Sequence, residues 1–80
     1  MTVLAVFKSR SETLSFIALL RANGVPASAM ATPKEAGVGC GLSARFEEVF
    51  LPRARNVFAQ KRYGSFAGFM KKTGFGYGYL

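Results

Sequence analysis

Cys40 is the one cysteine of this chain, set within Gly37-Val38-Gly39-Cys40-Gly41, where the glycines bring almost no side chains to cover the sulfur. The remaining inventory makes that thiol the natural seat of any chemistry. There is no histidine, no aspartate and no tryptophan, and the only carboxylates are Glu12, Glu35, Glu47 and Glu48. Without histidine neither a Ser-His-Asp nor a Cys-His pair can be assembled, and without a second cysteine or a histidine no zinc site of the usual ligand set exists. No metal and no bound cofactor are expected. What remains is one soft nucleophile.

An ordinary thiol, with a pKa of about 8.5, is only a few per cent thiolate at neutral pH, so reactivity requires exposure and electrostatic help. Lys34 lies in the same loop, and the amides around Gly39 and Gly41 can form a nest facing an anionic sulfur. Parity argues the other way. Cys40 is in phase with Leu42, Ala44 and Phe46, so a strand extended back to residue 40 would turn the thiol into the core, where a lone cysteine acts as a small hydrophobe. The carrier of any chemistry and a packing residue are both open at this point.

These residues must be positioned by a small domain. Eighty residues allow a single modest core, burying about 60–65% of the unfolded chain's surface. One thiol excludes a disulfide framework, and Met1 to Phe7 lacks the basic and cleavage features of a secretory leader, so a reducing cytoplasm is expected. The apolar run near Leu14 to Leu20 is far shorter than the roughly 18 residues a membrane span needs, so no membrane is expected as a partner. Eleven basic against four acidic residues give a net charge of +7. Four basic and two acidic groups fall in residues 1–40, seven and two in residues 41–80. Such an excess points to an anionic partner, whether nucleic acid or an acidic protein.

Val3 to Phe7 reads as a first strand. Ser9-Arg10-Ser11-Glu12 has the capping-box form, with the Ser9 hydroxyl accepting from the Glu12 amide and the Glu12 carboxylate reaching back to the Ser9 amide. A helix over residues 10–22 follows, stopped by Asn23-Gly24. Val25 to Ala31 returns to an extended pattern, with Val25, Ala27, Ala29 and Ala31 on one face, small enough for a helix to pack close. A loop through Thr32-Pro33-Lys34-Glu35 and the glycines leads to a strand from Leu42, alternating Leu42, Ala44 and Phe46 with Ser43, Arg45 and Glu47. Pro52 suits the first turn of a second helix that buries Ala54, Val57 and Phe58, turns Arg53, Arg55, Gln60, Lys61 and Arg62 outward, and ends at Gly64. Arg53 and Arg55 oppose the helix dipole in its first turn, which calls for another reason for them. Ser65 to Met70 reads as the fourth strand.

The order β-α-β-β-α-β predicts an α+β fold, a ferredoxin-like sandwich of two helices on one antiparallel sheet. Residues 1–73 form this single domain. Residues 74–80 form an alternating glycine and aromatic tail, either flexible or an edge strand with its rings on one face. Two further motifs fall away on context. Gly37-x-Gly39-x-Gly41 precedes a strand instead of following one, which excludes a dinucleotide loop. Arg62 to Phe69 shares only Arg62, Phe66 and Phe69 with an RNA-recognition strand and sits on the wrong strand for it.

Thr32-Pro33-Lys34-Glu35 followed by Cys40-Gly41-Leu42-Ser43-Ala44-Arg45-Phe46 resembles the central signature of the selenium/sulfur carrier protein-like family of small proteins. The preceding strand, helix, Asn23-Gly24-Val25-Pro26 and strand resemble it too, so the likeness spans about residues 3–58. The resemblance implies a ferredoxin-like domain whose Cys40 accepts sulfur and holds a persulfide or selenopersulfide. It further implies Lys34, Gly39, Gly41 and Arg45 as support, and donor and acceptor proteins as partners. Two features depart from the family pattern: the basic second helix and the aromatic tail. A carrier is more in keeping with this than a true enzyme. The competing expectation is a binding module without chemistry, in which Arg53, Arg55, Lys61 and Arg62 contact an anionic partner and Cys40 only packs. A third is a homo-oligomer paired through exposed sheet edges.

Overall fold

The computed structural model describes residues 1–37 and 40–80. Among these, two helices lie on one face of a five-stranded antiparallel sheet, an α+β arrangement. The strands are β1 (Thr2–Phe7), β2 (Ser28–Ala31), β3 (Leu42–Glu47), β4 (Phe66–Thr73) and β5 (Gly76–Tyr79). Helix α1 spans Arg10–Ala22 and α2 Leu51–Phe58. The strand order is β2-β3-β1-β4-β5. The sequence pattern calls for four strands. The fifth arises because β4 runs on to Thr73 and turns through Gly74 and Phe75 into β5, so the tail takes the edge-strand alternative.

Strand β1 is central and buried on both faces, with Val3 to Phe7 all inaccessible to solvent. Its odd positions Val3, Ala5 and Phe7 pack under the helices with Phe16, Ile17, Leu20, Ala54, Val57, Ala44, Phe46 and Phe69. Each large side chain buried here contributes about 1.5–3 kcal/mol. An aromatic cluster fills the end of this layer, where Phe7 lies 5.5 Å from Phe16 and 5.2 Å from both Tyr63 and Phe66. The even positions Leu4 and Val6 face the other way, packing with Met70 and Ala36 and flanked by Met30, Ala67 and Tyr77. This second core has no helix over it. It is covered by a single 3₁₀ turn, Lys34–Ala36, from the long β2–β3 connection.

Helix α1 has the predicted bounds, and the Ser9 hydroxyl accepts from the Glu12 amide at 3.3 Å. The reciprocal half of the capping box does not form. The Glu12 carboxylate instead turns to the entrance of β4, accepting from the amides of Gly64 (3.0 Å) and Ser65 (2.9 Å) and from the Ser65 hydroxyl. The Ser9 amide is satisfied by Ser65 Oγ at 3.0 Å. A capping box fills two orphan amides within one helix; here the same groups tie that helix to a strand 52 residues away.

Three further expectations are corrected. Ala29 and Ala31 do face the helix side, since Ala29 pairs with Ala44, but both are exposed on β2, an edge strand of the sheet. Helix α2 ends at Phe58, well short of Gly64. Phe58 and Tyr63 both pack on Phe16, at 5.9 and 5.6 Å, and residues five apart do not share a helix face, so the chain must leave the helix between them. Ser43, assigned by alternation to the polar face, is fully buried. Of the two arginines expected in the first turn of α2, Arg53 is there and its Nη1 sits against Gly24 at the C-terminal stop of α1, where a cation is favoured, whereas Arg55 falls in the last turn of α2, which favours a cation too, and lies over the Phe69 ring at 5.3 Å.

The hydrogen bonds from Ser65 hold the Glu12 carboxyl below the usual carboxylate range, the hydroxyl contributing most and the amide next. A lowered folded value means that this stabilisation is present above the ordinary carboxylate pKa and is lost as pH falls through the folded one. Thermal melts of Glu12→Gln should therefore fall below wild type at neutral pH, with the gap narrowing as pH drops below the ordinary carboxylate range and closing only below the lowered folded value. A gap independent of pH would show that the carboxylate's charge is not what Ser65 recognises.

Candidate functional site

Cys40 sits at a bend two residues before β3, and the break in the strand is made by Gly41, whose φ of +76° only glycine adopts cheaply. The thiol is thereby half-buried, neither in the core nor free in solvent. Its parity survives the bend: the sulfur leans on the helix side, against Thr13 of α1.

Three polar contacts define the sulfur's surroundings. The thiol donates to the Leu42 carbonyl at 3.0 Å and the Leu42 amide reaches Sγ at 3.4 Å. The Thr13 hydroxyl lies 3.8 Å from Sγ, and can donate to the Leu42 carbonyl at 3.1 Å or to the Ser9 carbonyl at 3.2 Å. Thr13 is fully buried. A thiol thus finds an acceptor, and a thiolate finds two donors, the Leu42 amide and the Thr13 hydroxyl, without movement of the chain. Pattern reading passes over Thr13. The available signal is a hydroxyl three and four residues before Phe16 and Ile17, a polar group on the apolar stripe of its helix.

The loop carrying Cys40 is fastened at several points. At its base the Thr32 amide donates to the Gly41 carbonyl at 3.1 Å, and the Thr32 and Ser43 hydroxyls meet at 2.6 Å. Further along, the Tyr79 hydroxyl donates to the Ala36 carbonyl at 2.7 Å, and the Tyr77 amide donates to the Glu35 carboxylate at 3.1 Å. The latter bond is the main cause of a lowered Glu35 pKa. Glycine is favoured at 76 by a φ of +129°, and a Cβ there would also displace the Glu35 carboxylate from its bond to Tyr77. The aromatic tail therefore clasps the 3₁₀ turn of the cysteine loop.

The other expected site residues divide. Gly41 shapes the bend. Gly39, and with it half of the expected nest, lies outside the described residues. Lys34 is exposed on the 3₁₀ turn and forms no ion pair among the described residues. Arg45 is not brought to the thiol: it stands three residues past Leu42, about 10 Å along the strand, and pairs with Glu47 at 3.3 Å. Arg53 and Arg55 lie on α2, with the contacts given above. Lys61 and Arg62 are exposed after that helix, and Lys61 Nζ donates to Ser15 Oγ at 2.6 Å. No cluster of metal-ligating side chains occurs among the described residues, and no helix there is long and apolar enough to cross a membrane.

Fold and site together define a small α+β domain that presents one half-buried thiol at the junction of a helix and a strand. Residues 2–65 match the family described as Putative Se/S carrier protein-like, and the chain belongs to that family. No curated protein and no solved structure matches the chain. The match stops at the entrance to β4, so the tail that clasps the cysteine loop lies beyond it.

Two substitutions probe the site. Thr13→Val should cost about 1–3 kcal/mol, since it strips a hydroxyl from buried carbonyl partners, and should slow alkylation of Cys40 at neutral pH by removing a donor to the thiolate. Unchanged alkylation would mean that Thr13 serves the fold alone. Tyr79→Phe should lower stability by about 0.5–1.5 kcal/mol, read as a shift in denaturant midpoint at constant slope.

Proposed function

We propose that this protein carries sulfane sulfur, or selenium in its place, on Cys40 between a donor and an acceptor protein. The observation that carries the reading is the thiol's setting in a chain of this family: half-buried, bonded within its own turn and to Thr13, and with no second cysteine in the sequence to attack it.

The transfer balances without an added oxidant or reductant. The Cys40 thiolate attacks the outer sulfur of a donor persulfide. An Sγ–S bond forms as the donor's S–S bond breaks, and the electron pair leaves with the donor's inner sulfur as a thiolate. Delivery is the reverse step, in which an acceptor nucleophile attacks the outer sulfur and Sγ departs as the thiolate. A neighbouring cysteine would capture the inner sulfur and expel the cargo early, so a lone thiol is what a carrier needs. The Leu42 amide and the Thr13 hydroxyl support Sγ when it is charged, at the beginning of loading and the end of delivery. The expected roles of Lys34 and of the residues around Gly41 are to favour that charge; Arg45 is left out of this role by its place on β3.

The first four strands, ordered β2-β3-β1-β4 with both helices on one face, support placing the domain with the ferredoxin-like sandwiches, extended here by β5. A sole, unpaired cysteine favours a reducing compartment, and we place the protein in the cytoplasm.

Incubation with a cysteine desulfurase and cysteine, followed by intact mass measurement, tests the reading. The expected result is a gain of one sulfur atom, removed by a reducing thiol and missing in Cys40→Ser. A protein that stays at its original mass under conditions where the desulfurase turns over would sink the proposal.

A further inference from the structure

Exposed cations are spread over this molecule, Arg21, Arg53 and Lys72 among them, and four more gather at the end that holds the thiol. Phe7 pairs with Phe66 and Val6 with Ser43, which brings the end of β1 beside the beginnings of β3 and β4. The N-terminus of α1 joins them, through the Lys8 amide on the Ser65 carbonyl (2.9 Å) and the Ser9 amide on Ser65 Oγ (3.0 Å). The Thr13 contact puts the thiol at this end as well. Here Lys8, Arg10, Lys61 and Arg62 are all exposed. The three ion pairs found among the described residues, Met1 amino group to Glu47, Arg45 to Glu47 and Lys71 to Glu48, all lie at the opposite end, where β1 and β4 pair at Val3 and Lys71. Glu12 is the carboxylate placed among the four cations, and its oxygens are taken by Gly64 and Ser65. Four cations stand against that one carboxylate, so the thiol end carries a net positive charge.

From this cluster beside the thiol we propose that the face formed by Lys8, Arg10, Lys61 and Arg62 is a docking surface for an acidic protein, one that surrounds its own reacting sulfur with carboxylates. The inference builds on the carrier reading for what passes across the interface, while the surface itself follows from the charge distribution alone. Complementary charge raises association rates from about 10⁵–10⁶ to as much as 10⁸–10⁹ M⁻¹s⁻¹ and sets the approach direction, which brings two sulfurs together end-on. It acts over about 8 Å at physiological ionic strength and about 30 Å at 0.01 M, so its hallmark is salt dependence. A single-stranded nucleic acid is the poorer fit. Binding of that kind combines cations with aromatic platforms, and the rings at this end, Phe58, Tyr63 and Phe66, are packed against Phe7 and Phe16. The fully exposed ring, Phe75, is at the β4–β5 turn, away from the thiol.

Protection of Cys40 from alkylation by neutral iodoacetamide tests the surface with the full chain, using polyglutamate as the acidic probe and a single-stranded RNA oligonucleotide as its rival. Polyglutamate at low salt should slow alkylation several-fold, salt should abolish the effect, and RNA should protect less. Lys8→Gln/Arg62→Gln should lose most of the protection. Changing all four cations to Gln should remove it, and Arg21→Gln/Lys72→Gln, which takes away equal charge elsewhere, should retain it. The double variants remove exposed side chains and keep the proposal testable if the fourfold variant does not fold. Stronger protection by RNA, no protection by polyglutamate, or equal loss in the two double variants would each overturn it. The readout needs a reactive thiol and no sulfur transfer, so a failed loading experiment and a failed docking experiment are separable.

Discussion

The architecture of this protein hangs on two adjacent residues in the first turn of α1. Glu12 reaches the entrance of β4 through Gly64 and Ser65, and Thr13 reaches the entrance of β3 through the Leu42 carbonyl. Those strands flank β1, so one helical turn stitches together the strands on either side of the strand that precedes it. The bonds span 29 and 52 positions of sequence. Each closes a long loop, and much of the entropy that ordering costs is already spent once the apolar stripe of α1 has packed on the sheet. The same turn then supplies the hydroxyl beside Cys40, which makes the thiol's surroundings a by-product of the fold's main fastening.

The opposite face of the sheet poses a different problem. Leu4, Val6 and Met70 are fully buried there, yet both helices lie on the other side. A chain of eighty residues has no third helix to spend on them, and the cover is assembled from the cysteine loop and the tyrosines of β5. Burial of apolar surface and restraint of the loop are thus one event. The family match ends at residue 65, so the clasp lies outside the matched part of the chain. A looser tail would leave the second core wetter and the loop freer at the same time.

The sequence disclosed most where local chemistry and periodicity agree. Helix α1 could be read to its end residues from Ser9, the apolar run from Leu14 to Leu20 and Asn23-Gly24, but not its buried face: Leu14 and Ala18, at helical spacing with Ile17, are exposed, and Phe16, Ile17 and Leu20 are buried. The start of β3 at Leu42 could be read from its alternation, and the bend before it from Gly41. What escaped was decided at long range. Glu12 looks like a capping-box residue until Ser65 competes for it. The length of α2 depends on where Tyr63 must insert, and its pattern continues past the point where packing stops it. Arg45 is adjacent in motif but distant in space, since a strand moves each successive residue away from the thiol and alternates the face on which it stands. The thiol itself was balanced between core and solvent on sequence grounds, and the structure places it between the two.

In the carrier reading Thr13 has a further consequence, because the sulfur then gains and loses an atom. As a thiol, Sγ donates its proton to the Leu42 carbonyl. Once it bears a second sulfur it has no proton to give, and a carbonyl that depended on that donor would be left unpaired, at a cost of about 1–3 kcal/mol if dry. The Leu42 carbonyl does not depend on it, because the Thr13 hydroxyl stands 3.1 Å away and can donate in its place. The hydroxyl has the Ser9 carbonyl as its alternative acceptor when the thiol is protonated. One rotor therefore answers each state of the sulfur, turning to the Ser9 carbonyl beside the thiol, to Sγ beside the thiolate and to the Leu42 carbonyl beside the persulfide. In the carrier reading this levels the free energies of the empty and loaded forms as far as the site is concerned, and leaves the direction of transfer to be set by the partner's sulfur.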